Sequence, residues 1–215
     1  HLETFHALTD GTGATHFLKA LCYRYLQLIH PEDFSADQVE SWFGLEQSTN
    51  VADGYAVNYQ PGKMKVYRQS ASYQLRGRLR PGGTIGVDSL LLPIGALKTA
   101  AKAAGATLGE YLCAMLLYLI QEEFARGRAR RPICIDLPVN LRPLCQTDTS
   151  LNFFSVAEIA LENRGGPKTF PQILEDVQQQ FKEKITRERL LQKFHFTVWS
   201  EQTFLAQVIP AAAQN

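Results

Sequence analysis

A chain of 215 residues with 45% hydrophobic and 20% charged content has the composition of a folded soluble protein, which excludes a disordered polymer. A formal net charge of +1, with both signs spread along the sequence, leaves no broad field to hold nucleic acid or an acidic membrane surface. The longest apolar run, residues 111–120, falls well short of the roughly 20 residues that span a bilayer, so no membrane span is expected. Cysteines 22, 113, 134 and 145 have neither CxxC pairing nor metal-type spacing, and are expected as buried free thiols in a reducing, cytoplasmic compartment. No signal peptide is seen and the first residue is not methionine, so the chain is expected to be part of a longer one.

Leu2, Thr4, Phe5 and Leu8 suggest the end of a strand, and Gly11 and Gly13 a turn. Phe17, Leu18, Leu21, Cys22, Tyr25, Leu26 and Ile29 then recur at helical steps, predicting a helix over residues 14–30 with one buried face. Residues 35–43 suggest a short helical turn. Residues 44–69 keep no period and read as a crossover between two halves or as a mobile excursion. Alternation predicts strands at 73–79 and 85–92, separated by a turn at Pro81, Gly82 and Gly83. Leu97, Ala100, Ala101 and Ala104 mark a helix stopped by Gly105.

Thr107 and Glu110 form a capping-box pair, predicting a nearly all-buried helix over 108–124 with Leu108, Leu112, Met115, Leu116, Leu119, Ile120 and Phe124 along its apolar face. The basic run at 126–131 reads as a cationic helix end. Branched residues predict strands at 132–139 and 153–161. Thr169 and Gln172 open a long helix with Pro171 in its first turn, carrying Ile173, Val177, Phe181 and Ile185. Residues 194–213 read as one or two further helices or a tail. The fold class expected is α/β, a two-layer sandwich of a mixed sheet and helices. Its expected division places residues 1–69 at the end of an N-terminal half and residues 70–215 in a truncated C-terminal half.

The stretch with most chemical content is His6-Ala7-Leu8-Thr9-Asp10-Gly11-Thr12-Gly13. An imidazole exchanges its proton near neutrality, and one held where a strand meets a helix suits general-base work, although a hydrogen-bonded rim histidine has the same appearance. A dinucleotide turn is disfavoured because the third glycine of G-x-G-x-x-G falls on His16, and no P-loop lysine follows. His6, Asp10 and His16 do not converge as metal ligands in strand-turn-helix geometry, so no metal is expected. A Ser-His-Asp triad lacks its G-x-S-x-G elbow. What remains is a histidine base acting on a substrate's own hydroxyl or amine.

This H-x-x-x-D-G stretch is followed by Thr107, Tyr111 and Leu112 on a helix, by Leu137-Pro138-Val139-Asn140-Leu141-Arg142, and by Asn152-Phe153-Phe154-Ser155. In that order the four motifs resemble the CoA-dependent acyltransferase superfamily. That superfamily includes chloramphenicol acetyltransferase, alcohol acyltransferases and the condensation domains of peptide synthetases, and the bacterial alcohol acetyltransferase-like group is the nearest in flavour. The resemblance covers about residues 6–185, departs in lacking the late D-F-G-W-G-type element, and implies a parent about twice as long whose N-terminal half is missing here.

It implies an acyltransferase moving an acyl group from acyl-CoA to a small alcohol, with acyl-CoA as co-substrate and no permanently bound cofactor. His6 is then the general base, Asp10 a structural carboxylate paired with Arg142, and Gly11 the turn residue. Asn152 and Ser155 are supporting hydrogen-bonding groups. The residues that bind the cofactor are left unassigned. Taken alone, the chain is expected to be a weak or inactive catalyst that associates through uncovered apolar surface. Two alternatives stay open: condensation-type transfer from a carrier-protein thioester, and a non-catalytic or degenerate fragment.

Overall fold

The computed structural model of the chain describes residues 2–33, 51–60, 71–75, 77, 82, 86–87, 89–125, 131–162 and 165–203. Among these, seven α-helices and a two-stranded antiparallel sheet make a mixed α/β architecture. In chain order they are α1 (Gly11–Ile29), α2 (Gly54–Asn58), α3 (Ile94–Ala103) and α4 (Leu108–Ile120, continued by a π-helical turn, Gln121–Ala125). Then follow β1 (Ile133–Asn140), α5 (Arg142–Cys145), β2 (Phe154–Leu161), α6 (Phe170–Lys184) and α7 (Arg187–Gln202).

The chain folds as two compact units. One comprises His1–Tyr67, Pro138–Val156 and Arg187–Asn215, the other Arg68–Leu137 and Ala157–Thr186. The expected division at residues 69 and 70 gives way to one in which two later segments join the N-terminal residues. The reason lies in polar contacts: Arg142 and the main chain of Phe153 bind Asp10, and Thr9 donates to the carbonyl of Ser150 at 2.7 Å.

In the second unit α4 begins where its cap dictates. Glu110 N donates to the Thr107 hydroxyl at 3.3 Å, while Thr107 N donates to the Glu110 carboxylate at 2.8 Å. Its buried positions are Cys113, Ala114 and Leu117, which pack with Ile133 of β1, Ile159 and Leu161 of β2, and Ile173, Leu174 and Val177 of α6. The small side chains of Cys113 and Ala114 fit this interior. The expected apolar face is therefore turned: Leu112, Leu116, Leu119 and Phe124 are exposed, Leu116 by 47%. A helix apolar on nearly every side gives no period from which to choose a face. Where α4 passes into the π turn, the buried Gln121 side chain donates to Lys168 O at 2.8 Å and accepts from Lys168 N at 2.9 Å, so its amide is satisfied.

The two strands pair antiparallel, with Leu141 N donating to Phe153 O just beyond their ends. Side chains occupy much of β2's outer edge. The Tyr55 hydroxyl donates to Phe154 O (2.7 Å) and accepts from Phe154 N (3.0 Å). Lys184 donates to Glu158 O, and the Gln180 amide pairs with both the N–H and the carbonyl of Ala160. Such capping closes an edge to another strand.

Other expected strands do not form among the described residues. Residues 2–5 are in no strand and 6–8 turn; residues 71–75, 77, 86–87 and 89–92 join no sheet. Tyr73 keeps a single strand-like bond, its N–H donating to Pro132 O at 2.8 Å. The remaining residues of those two expected strands, most of the Pro81 to Gly83 turn, the helical turn at 35–43 and most of the basic run at 126–131 lie outside the described residues, as do residues 204–213 of the expected tail. Residues 194–202 belong to α7. Helix α1 forms at 11–29, yet Phe17, Leu21, Tyr25 and Leu28 are more than half exposed. Cys22 is exposed too, against the expectation of a buried thiol, because it shares that uncovered helix. No single helix among the described residues is long and apolar enough to cross a membrane.

Two truncations on neighbouring residues of α4 check its buried face. Leu117→Ala should cost about 2–5 kcal/mol in urea denaturation, and Leu116→Ala within about 1 kcal/mol. The reverse order would contradict the packing.

Candidate functional site

The geometry of a helix start explains how Asp10 is placed. It is the N-cap of α1, with extended backbone, and its Oδ1 accepts from Thr12 N and Gly13 N, both at 3.1 Å. Those donors are among the first-turn N–H groups that have no partner within the helix. The same carboxylate is met by Arg142, whose Nη1 donates to Oδ2 at 2.8 Å and Nη2 to Oδ1 at 3.1 Å. Phe153 N adds a third main-chain donor to Oδ2 at 3.0 Å. Five donors thus surround a carboxylate only 7% exposed.

Arg142 is equally well satisfied. Its Nε donates to Thr149 O (2.8 Å), Nη1 also to Asn140 Oδ1 (3.2 Å) and Nη2 also to Leu151 O (2.6 Å). With the two bonds to Asp10, every guanidinium N–H has an acceptor. The pair joins the start of α1, the end of β1 and the loop leading into β2. Burial by itself would raise the Asp10 carboxyl, but hydrogen bonds from Arg142, Phe153 and Gly13, with the guanidinium charge, hold it below its ordinary value.

Gly11, expected as the turn residue, is the first residue of α1, and a Cβ there would meet nothing within 4 Å. The glycine the geometry requires is Gly13. A Cβ at that position would lie 2.1 Å from Thr9 Oγ1 and 2.2 Å from Ser150 O. Two glycines one residue apart look alike in sequence; the carbonyl of Ser150 tells them apart only in the fold.

His6 is carried by an exposed turn closed by Leu8 N donating to Phe5 O at 2.9 Å, rather than by a strand end. Its main-chain carbonyl accepts from Asn152 Nδ2 at 2.7 Å, and its ring meets Phe154 edge-on at a centroid distance of 6.1 Å. Asn152 thus supports the histidine's backbone, while Asn152 Oδ1 is buried without a hydrogen-bond partner. The Ser155 hydroxyl is buried and donates to Leu190 O at 3.4 Å.

His6, Asn152, Phe154 and Ser155 line a cavity of about 320 Å³, whose further walls come from Tyr55 of α2, Val156 of β2, and Lys193, Phe194, Thr197 and Glu201 of α7. Sequence reasoning missed Tyr55 and the α7 residues. Asp53 before Gly54 was the available signal for α2, since its carboxylate caps Tyr55 N at 2.9 Å. Tyr55 is fixed by its two bonds to Phe154 and by stacking on Phe194 at 5.8 Å. Burial and the carboxylates of Asp10, Glu201 and Asp53 push its hydroxyl pKa up against the hydrogen bond with Phe154, so it remains a donor.

No histidine or carboxylate converges on His6 to make a metal site among the described residues; His30, Glu32 and Asp33 do approach one another, but all are exposed and none lines the cavity. Burial pushes the Cys113 and Cys134 thiols up to about 11, which argues against either acting as a nucleophile.

Asp10→Asn should cost about 3–5 kcal/mol, because it leaves the Arg142 charge buried and unpaired. A carboxyl lowered in the folded state stabilises above its ordinary range, and that contribution is lost as pH falls through the lowered value. The wild-type chain should therefore lose stability below about pH 4, and Asp10→Asn should lack that part of the pH dependence. Gly13→Ala should destabilise strongly, whereas Gly11→Ala should be neutral or stabilise by up to about 1 kcal/mol. Equal effects at the two glycines, measured by thermal unfolding, would contradict the close approach of Ser150.

Compared with protein-family models, curated proteins and solved structures, the chain finds no match.

Proposed function

We propose that the protein transfers an acyl group from an acyl-CoA thioester to a hydroxyl acceptor, with His6 as general base. The observation that carries this reading is the separation of roles within one short motif. His6 opens onto a cavity, whereas the carboxylate four residues on is bound by Arg142 and main-chain donors. Asp10 is committed to structure, and of the motif's two titratable groups the imidazole is the one left at the cavity to handle a proton.

In the proposed reaction the acceptor hydroxyl approaches His6, which takes its proton as the oxygen attacks the thioester carbonyl. The new C–O bond forms, the C–S bond breaks, and the thiolate leaves with the proton returned from the imidazolium. No covalent enzyme intermediate is needed. A carrier-protein thioester would react in the same way. The cysteines, none of them in a disulfide, suit a reducing cytoplasmic setting. A second reading, in which the cavity binds without catalysis, draws on the exposure of His6 and on the lack of a described side chain hydrogen-bonded to its imidazole.

Release of CoA thiol from acetyl-CoA, followed with a panel of small alcohols in the full-length protein, tests the proposal. His6→Ala should lower kcat/KM by about 10² to 10⁴, with stability within about 0.5 kcal/mol of wild type because the side chain is exposed. Thiol release absent with every acceptor would leave the binding reading in its place, and thiol release indifferent to His6→Ala would remove His6 as the base.

A further inference from the structure

Asn152 has one half of its amide in use and the other half idle. Its Nδ2 donates to the His6 carbonyl at 2.7 Å, while its Oδ1 is shut away from water and accepts from nothing. A buried acceptor without a donor is costly to a fold and calls for a reason. Asn152 lines the cavity, so the side-chain donors of that cavity are the candidates to meet it.

Most of those donors are already committed. The Tyr55 hydroxyl donates to Phe154 O, the Ser155 hydroxyl to Leu190 O and the Thr197 hydroxyl to Lys193 O at 3.1 Å. Lys193 has an interaction of its own. The donor that remains is the His6 ring, to which no described side chain is hydrogen-bonded. It is also close. The nitrogen and oxygen of a primary amide lie about 2.3 Å apart, so Oδ1 stands within about 5 Å of the His6 carbonyl oxygen. Of the two ring nitrogens, Nδ1 is the nearer to the main chain. The ring is exposed, and rotation about its side-chain bonds, a motion of picoseconds to nanoseconds, brings Nδ1–H onto Oδ1.

We propose that Asn152 is a positioning residue for the His6 imidazole: its Oδ1 accepts Nδ1–H, which keeps the ring proton on Nδ1 and leaves the lone pair on Nε2 for the acceptor's hydroxyl. The hydrogen bond at one ring nitrogen decides the state of the other. One amide then holds the histidine twice, its main chain through Nδ2 and its ring through Oδ1. A histidine oriented by a neighbouring side chain is the arrangement a catalytic triad uses, here with no nucleophile on the protein. The contact stands on the unpaired oxygen; it rests on the acyl-transfer reading only in naming Nε2 the base.

Nitrogen NMR of the full-length protein labelled in histidine, at about pH 8 where an ordinary histidine is neutral, tests the contact. The His6 signal is the one that His6→Ala removes. A histidine free in water carries its proton mainly on Nε2, whereas wild-type His6 should carry it on Nδ1. Asn152→Ala removes both bonds; it should return the proton to Nε2 and lower kcat about tenfold to a hundredfold with KM little changed. Asn152→Asp removes the donor to the His6 carbonyl but keeps an acceptor, so it should keep Nδ1 protonated and lose less activity than Asn152→Ala. Among the described residues the Asn152 side chain bonds only to His6, so both variants should fold. A bare Nδ1 in the wild type, Nδ1–H that survives Asn152→Ala, or equal damage by the two variants would each overturn the positioning role. Nδ1–H that depends on Asn152, found without thiol release, would remove the acyl-transfer reading alone. Thiol release that depends on His6, found with Nδ1 bare, would remove the positioning role alone.

Discussion

The bidentate pair between Asp10 and Arg142 is the constraint on which the rest of the first unit depends. One carboxylate caps the first turn of α1, binds the N–H of Phe153 at the start of β2 and neutralises a guanidinium rooted at the end of β1. In return the guanidinium holds the carbonyls of Thr149 and Leu151, which fixes the loop before β2. Neither charge could stay buried alone. The consequence for His6 is indirect but physical: Asn152, which lies between Leu151 and Phe153, supplies the donor that holds the histidine's carbonyl.

Around this polar centre, small and aromatic side chains complete the fit. Gly13 lets α1 approach the carbonyl of Ser150, and Gly54 lies where a Cβ would come within 2.8 Å of the Phe153 ring. The ring of Phe153 meets Tyr55 and Phe194 edge-on, so the residue whose N–H binds Asp10 also anchors α2 and α7. The cavity therefore inherits its walls from the same few residues that satisfy the buried charges.

Much of this was legible where the sequence contains a local mechanism. Thr107 and Glu110 announced the start of α4 because a capping box is complete within four residues, and the branched residues from Ile133 and from Phe154 announced two strands. Arg142 was found as the partner of Asp10 through a resemblance to known enzymes, not through spacing. What stayed hidden depended on residues distant in the chain. The face that α4 buries is chosen by α6 and the sheet, which a helix apolar all round does not encode. The difference between Gly11 and Gly13 depends on Ser150, well over a hundred residues away. Tyr55 sits on a helix of five residues, too short to show a period, and β2's edge is capped by side chains whose targets no pattern reveals.

The central claim is that the motif's aspartate serves the fold by way of Arg142, leaving the histidine for chemistry. A double-mutant cycle tests it most directly, with Asp10→Asn, Arg142→Met and the double variant compared in chemical denaturation. The account predicts strong non-additivity, a coupling of about 2–3 kcal/mol in which the double variant is much less destabilised than the sum of the single ones. Additivity within about 0.5 kcal/mol would contradict it, because the two charges would then be acting independently.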